Sequence, residues 1–451
     1  MDVCIRPLFC LPAGLSSSKR GRVQSHAEGV LEAPFRWTWL TMRGEGPFQQ
    51  KPMRILMLSD HETCGGAAVS ASRLAEALAE QHHILRCVLD PDGQAHPWNT
   101  FSLKENSRQR KASTEDRLSQ VVRRFRPHVI NVHNIHGGWD RDWGPDLIDA
   151  CATHAPTVWT LHDMWSFTGR CVYAYDCRAF ETGCTAACPT HQEYPPLEAE
   201  KIAPAWAQRR DILGRHVNLR GVAPSRWLAD EASRGLWKLR CVETIPYGVP
   251  LDTFRPIDRT EARQRLGFPV EGPLVLVVAQ TLTERRKGGD ILAQVWPHVS
   301  LRPITLVLMG EGTVVLTDQE LTVHALGWID EPEKQALVYS AADVLLHPAP
   351  VDNLPNVVLE AIACGTPVVG FPISGVPEMV RPGISGWLAG AVEARALGLA
   401  LQHALMEIQA GVTLRESCRD VARREYGQGL QARRYEALFE AMREGEGQLD
   451  A

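Results

Sequence analysis

The chain has 451 residues, enough for two domains of ordinary size, and its 44% hydrophobic and 22% charged content is that of a globular protein. A formal net charge of −5 argues against nucleic acid as the main partner, because phosphate backbones demand a basic face. No apolar run reaches the roughly 20 residues needed to cross a bilayer.

Residues 1–52 open on Met1-Asp2, and Pro7, Pro12 and Gly14 interrupt the apolar stretch, so they do not read as a signal peptide and the expected compartment is the cytoplasm. Rich in Ser, Gly, Arg and Pro without a period, this extension reads as a disordered tail. From Met53 onward short apolar runs alternate with longer helical patterns, the signature of a parallel sheet covered on both faces. Strands are predicted over 55–59, 84–89, 129–133, 157–161 and 219–223. A helix over 67–81 faces Ala68, Leu74, Ala75 and Leu78 inward. A Pro- and Gly-marked hinge over 245–256 separates these from a second set of strands over 274–279, 304–309, 323–326, 344–347 and 368–371. Helices over 290–296, 331–340 and 356–364 lie between those strands, and a last helical stretch covers 429–443. The fold class is α/β, with two Rossmann-like doubly wound domains. Ligands of such sheets bind outside the carboxyl ends of the strands.

The residues from Asp352 to Gly370 read Asp-Asn-Leu-Pro-Asn-Val-Val-Leu-Glu-Ala-Ile-Ala-Cys-Gly-Thr-Pro-Val-Val-Gly. Pro355 can be spared its missing N–H in a first helical turn, and Gly365 suits the left-handed turn that ends a helix. Amides around Asn356 to Val358 then point out of the helix start, where the dipole favours an anion such as a diphosphate. Asp352 before the helix and Glu360 within it are placed to accept hydrogen bonds from hydroxyls. A nucleotide sugar carries both kinds of group. The stretch resembles the Glu-x7-Glu region of retaining glycosyltransferases of family 4, which have the GT-B architecture of two such domains facing a central cleft. The first acid departs from the family pattern, being aspartate rather than glutamate. The resemblance implies that Asp352 contacts the donor sugar and Glu360 the nucleotide ribose, with Asn353, Leu354, Pro355, Asn356 and Val357 lining the donor site between them.

Three further stretches extend the resemblance. Gln280-Thr-Leu-Thr-Glu-Arg-Arg-Lys-Gly-Gly289 sets three cations at a strand end, a solvated charge run when taken alone but suited to offset the charge of a leaving diphosphate. The family carries an arginine at the place of Leu282 and a Lys-Gly pair. Lys287 matches that lysine, and Arg285 and Arg286 stand as equal candidates for the arginine. Gly65-Gly66 follows the first strand, where two glycines let a backbone approach a ligand; the Gly-x-Gly-x-x-Gly of a dinucleotide enzyme is absent, which disfavours a dehydrogenase. The run Thr157-Val-Trp-Thr-Leu-His-Asp-Met-Trp165 resembles a branch of family 4 associated with exopolysaccharide assembly. His162 matches the family's active-site histidine, Asp163 orients it or meets the acceptor, and His133, His136 and Trp139 are candidates for the acceptor side. Glu378 matches a family Pro-Glu that supports the donor site.

Cys171, Cys177, Cys184 and Cys188 fall within one loop, 171–188. A structural zinc site, reduced thiols and, last, disulfides are the readings left open. The domain plan the resemblance implies is a tail over 1–52, an acceptor-side domain over 53–245, a donor-binding domain over 246–428 and a crossing helix and tail over 429–451. The function expected is retaining transfer of a sugar from a UDP- or GDP-sugar to a glycan or lipid-linked oligosaccharide in surface-polysaccharide synthesis. No cofactor is needed for the chemistry, and peripheral association with the inner membrane is expected. The rivals are a nucleotide-sugar epimerase and a non-catalytic carbohydrate-binding subunit on the same scaffold.

Overall fold

The computed structural model describes residues 51–90, 96, 99–103, 114–136, 143–316 and 318–447. The expected N-terminal tail therefore lies outside the described residues except for Lys51 and Pro52, and Trp139 lies outside them too. Two parallel sheets form the frame. The first holds β1 (Arg54–His61), β2 (His83–Asp90), β3 (Asn99–Ser102), β4 (Val129–Val132), β5 (Thr157–Thr160), β6 (Leu219–Ala223) and β7 (Val242–Thr244), in the order β3-β2-β1-β4-β5-β6-β7. The second holds β8 (Leu274–Thr281), β9 (Ile304–Glu311), β10 (Leu321–Gly327), β11 (Val344–His347), β12 (Val368–Gly370) and β13 (Gly386–Leu388), in the order β10-β9-β8-β11-β12-β13. Central strands such as β4, β5 and β11 are buried along their whole length because helices cover both faces. The edge strands β3 and β7 and the three-residue β13 carry no long apolar run, which is why periodicity alone passes over them.

The helix Gly66–Ala79 follows β1 and buries Ala68, Leu74, Ala75 and Leu78, as its spacing predicts. In each sheet the strand order reverses beside the first strand, between β1 and β4 and again between β8 and β11. A crevice opens at such a point, outside the carboxyl ends of the strands. The loops bearing Gly65, His133, Lys287 and Asp352 all leave from those ends.

The hinge is tied down by the segment that returns to the first sheet. Val249 N–H bonds to the Tyr426 carbonyl at 2.7 Å, and Gln428 N–H bonds back to the Val249 carbonyl at 3.1 Å. A Cβ on Gly248 would lie 2.5 Å from the Gln428 Cα, so only glycine fits there. The helix Gln428–Gly447 then packs Tyr435, Leu438, Phe439 and Met442 against Met53, Ile55, Leu74 and Leu78.

Candidate active site

The second sheet contributes a charged wall. After β8 the chain makes one 3-10 turn, Arg285–Lys287, and then turns left-handed at Gly288, where φ is +82°. A Cβ there would fall 2.2 Å from the Pro348 carbonyl oxygen, so the cationic turn lies directly on the loop leaving β11. That contact brings Lys287 Nζ to 2.6 Å from Asp352 Oδ2. Asp352 is buried, which works against its charge, but Lys287, His347 and Arg286 outweigh this and hold its carboxyl down at about 2. Arg286 sits beside Glu284 and Asp352, whose negative charge holds its guanidinium firmly protonated against the cost of burial. Arg285 is 90% exposed and reaches toward Asp290. The two arginines are thus no longer equivalent, and Arg286 is the one on the crevice side.

The helix Asn356–Ala363 begins at Pro355 and ends before Gly365, whose φ is +79°. The Val358 amide turns back onto the Pro355 carbonyl at 3.1 Å, a correction to the expectation that it points outward with the others. Leu354 is a core residue and Val357 packs partly against the same core. Glu360 is buried, with Oε1 accepting from Arg73 Nη2 at 2.6 Å and Oε2 from the Tyr339 hydroxyl at 2.7 Å. Arg73 belongs to the Gly66–Ala79 helix, so this ion pair joins the two sheets. The same helix start meets the glycine turn: Asn356 Nδ2 donates to the Gly66 carbonyl at 3.0 Å and to the Ser70 hydroxyl at 3.1 Å.

The first sheet contributes a wall with a neutral histidine pair at its centre. His133 and His162 leave β4 and β5 side by side, with His133 Nδ1 3.0 Å from His162 Nε2 and His162 Nδ1 2.6 Å from the Tyr247 hydroxyl. His133 is 2% exposed and turned into this pair, which corrects its reading as an acceptor contact. Burial pushes His162 down to about 4, against an opposing pull from Asp163, and pushes His133 well below the ordinary histidine value. Asp163 does not orient His162 by hydrogen bond. Its Oδ2 bonds His136 Nε2 at 2.9 Å and its Oδ1 caps the Met164–Phe167 turn through the Trp165 amide. Burial opposes the charge of His136, but Asp163 and Asp60 raise it above the ordinary value. The His162 carbonyl reaches across and accepts from Asn353 Nδ2 at 3.1 Å, while Asn353 N–H donates to the Tyr173 hydroxyl. Glu378 also spans the sheets, accepting from the Arg226 and Trp227 amides at the start of the helix Arg226–Arg234.

The four cysteines of the loop do come together, lining one cavity of about 50 Å³ with Gly169, Phe180 and Ile202. Each is a free thiol, which removes the disulfide reading. Among the described residues, however, no three His, Cys, Asp or Glu side chains meet in an arrangement that could hold a metal ion. The thiols are turned to other partners. Cys184 Sγ accepts from the Gly169 amide at 3.2 Å, and Cys171 and Cys188 lie 3.6 and 3.7 Å from the Thr190 hydroxyl. Burial raises Cys184 to about 11 and Cys171 above its ordinary value, which keeps those two thiols protonated. The residues do not fit a zinc site, and the reduced-thiol reading stands.

Sequence reasoning brings together Lys287, Asp352, Asn353, Asn356, Glu360, Gly66 and His162. It misses Arg73, Tyr173 and Tyr339, and it gives Tyr247 no role. A signal existed for Arg73, an ionisable residue between Ala71 and Leu74 on the inward face of an amphipathic helix. Tyr173 and Tyr339 carried none, because a tyrosine in a loop or a core helix reads as packing.

Comparison with known proteins gives the family. Residues 64–253 match the model of Glycosyltransferase Family 4, and residues 272–407 match that of Glycosyl transferases group 1. The chain belongs to this family of GT-B glycosyltransferases. It is 26% identical over 268 residues to the putative colanic acid biosynthesis glycosyl transferase WcaC of Escherichia coli K12, a match covering 58% of this chain and 64% of that one. The chain spans less than two thirds of the length of the curated relatives it matches. Among solved structures it resembles the sucrose-phosphate synthase of Thermosynechococcus elongatus, with a TM-score of 0.66 and 20% identity over 86% of this chain and 99% of the other. It also resembles Anabaena Alr3699/HepE in complex with UDP-glucose, with a TM-score of 0.62 and 17% identity over 86% and 100% of the two chains. These two likenesses establish the fold.

Proposed function

We propose that this glycosyltransferase takes its sugar from a nucleotide-sugar donor and passes it, with retention, to a glycan or lipid-linked oligosaccharide in the assembly of a surface polysaccharide. The observation that carries the reading is the convergence on one crevice of the Lys287–Asp352 pair, the start of the Asn356–Ala363 helix with Glu360, and the Gly65-Gly66 turn. A ligand bearing a sugar, a diphosphate and a ribose has a complement for each part. The amides of Asn356 and Val357 and the ammonium of Lys287 receive the diphosphate, with Arg286 completing the cationic side. Glu360 takes ribose hydroxyls, and Asp352 takes hydroxyls of the sugar.

Bond breaking sends the electron pair of the glycosidic C–O bond to the diphosphate oxygen, and the cations there offset the charge that accumulates. The anomeric carbon is left with oxocarbenium character. Asp352, held ionised by its neighbours, stabilises that cation. The neutral His162 beside it adds no opposing charge. The acceptor hydroxyl then attacks from the face the diphosphate leaves, delivering its proton to the departing phosphate oxygen. His136, Asp163 and Trp165 form a mixed polar and aromatic surface on the acceptor side.

The polysaccharide setting rests on the WcaC likeness together with the Trp-Thr-Leu-His-Asp-Met-Trp run. Among the described residues no helix is long and apolar enough to cross a membrane, so a lipid-linked acceptor would be met at the membrane surface. A thermal-shift screen with UDP-, GDP-, ADP- and TDP-sugars tests the donor class, because a ligand bound only by the folded state raises apparent stability by mass action. The expected result is a rise with one base and a smaller rise or none with the others. No rise with any of them overturns the reading.

A further inference from the structure

A chain of four side chains runs from the first sheet to the hinge: Asn131, His133, His162 and Tyr247. Its direction follows from one fixed end. Asn131 Nδ2 lies 3.1 Å from the Val158 carbonyl, which can only accept, and 3.0 Å from the Thr160 hydroxyl, so the amide nitrogen faces that way. Asn131 Oδ1 therefore faces His133 Nε2 at 2.9 Å, and that nitrogen must carry a proton. His133 is neutral, since burial, His162 and the Arg86 guanidinium all disfavour its charge. Its Nδ1 is then a bare acceptor, and the group 3.0 Å away must donate. That group is His162 Nε2–H. His162 is neutral too, so its Nδ1 is bare and accepts from the Tyr247 hydroxyl at 2.6 Å. Burial with Tyr173, Tyr435, Asp163 and Asp352 nearby keeps that hydroxyl protonated. Every donor in the chain meets an acceptor, and no other assignment of the protons does this.

Tyr247 stands in the hinge between the sheets, stacked on the His162 ring with centroids 5.5 Å apart. The carbonyl of His162 in turn holds Asn353, the residue after Asp352. We propose that Tyr247 is a positioning residue: it fixes His162 as the neutral Nε2–H tautomer and, through the His162 carbonyl, keeps Asn353 and the first acid in register with the first sheet. The hinge thus reports its geometry directly to the acid loop. The kinetic side of this rests on the donor reading given above, whereas the tautomer assignment does not. Besides His133 and Tyr247, the groups facing His162 are Asp163, which favours its charge, and His136, which opposes it.

The test uses the whole chain with Tyr247→Phe, which keeps the stacked ring and deletes the donor. Side-chain 15N spectra of histidine-labelled protein read the tautomer, with His162→Gln used only to assign the signal. In the wild type His162 shows the Nε2–H pattern and stays neutral at pH 5. In Tyr247→Phe its Nδ1 is free to take a proton, so its pKa rises by about one unit or more toward the ordinary value. The acid limb of turnover of the sugar nucleotide found in the thermal-shift screen moves up with it, and kcat falls about tenfold while KM for that donor changes less. An Nδ1–H pattern in the wild type overturns the proposal, as does a variant whose His162 titration and pH profile both match the wild type. If the variant does not fold, the wild-type spectrum alone decides the tautomer chain. If the wild type turns over no sugar nucleotide, the donor reading fails while the spectrum still tests Tyr247.

Discussion

The two walls of the crevice are built on opposite principles. The second-sheet wall is a set of charges already paired, Lys287 with Asp352 and Arg73 with Glu360. The first-sheet wall, beside its His136–Asp163 ion pair, holds a run of side chains neutral and passes hydrogen bonds among them, from Tyr247 through His162 and His133 to Asn131. A charged wall binds a charged ligand by exchanging one partner for another, so its residues are expected to control affinity. A neutral wall cannot exchange partners without leaving a buried atom unsatisfied, so its residues are expected to control geometry.

Removing Glu360 should break the charged wall most severely. In Glu360→Ala the donor-induced rise in melting temperature is expected to vanish, and the unliganded melting temperature to fall, because Arg73 is left buried without its counter-charge. A normal rise in that variant counts against the ribose assignment. Lys287→Ala comes next, with kcat reduced about a hundredfold to a thousandfold in a transfer assay, the cost of losing one group aimed at the developing charge. Asp352→Ala should still bind the nucleotide but should discriminate less among sugars on the same base, which competition thermal shifts would show.

Acid separates the walls in a different way. His162 and His347 are pushed down to about 4, and His133 lower than its ordinary 6.5, so the folded chain resists protons that the unfolded chain takes. Stability contributed by these neutral rings is complete above about pH 6.5 and is lost as pH falls toward 4. His136, raised by Asp163, works in the opposite direction and above that range: its contribution is complete below about pH 6.5 and is lost as pH rises through its folded value. Asp352, held at about 2, adds a further loss only below its ordinary 3.8. Urea midpoints at a series of pH values should therefore decline first through the histidine range, and a midpoint flat from pH 7 to 4 would mean that the neutral wall is not buried as described. The smallest effect belongs to Gly65, at φ +88°, where Gly65→Ala should cost about 1 kcal/mol in urea unfolding from backbone strain alone.

The same division explains what could be read in advance. The acid loop and its helix are contiguous, so Asp352, Asn356 and Glu360 were visible as a unit, along with the paired sheets; the last helix was visible as a helix, but periodicity does not show where it packs. Short edge strands β3 and β7 were not, since half-exposed residues leave no periodic mark. The cross-sheet partners were hidden for another reason. Arg73 meets Glu360 only because the two sheets face each other, and Asp163 meets His136 only because β4 and β5 lie side by side in one sheet; pairings made by topology leave no local signature. The cysteine loop misled because four thiols close in sequence suggest ligation, whereas here their side chains turn to amide and hydroxyl partners.

The returning helix Gln428–Gly447 carries a consequence for biosynthesis. Met53, Ile55 and Leu78 stay uncovered on the nascent chain until Tyr435 and Phe439 have left the ribosome, because those two rings complete that side of the first sheet. The lobe translated first is therefore finished late, with an apolar face open throughout synthesis of the second. Pulse proteolysis of a chain stopped at Glu425 should find the first lobe cleaved readily and the second protected.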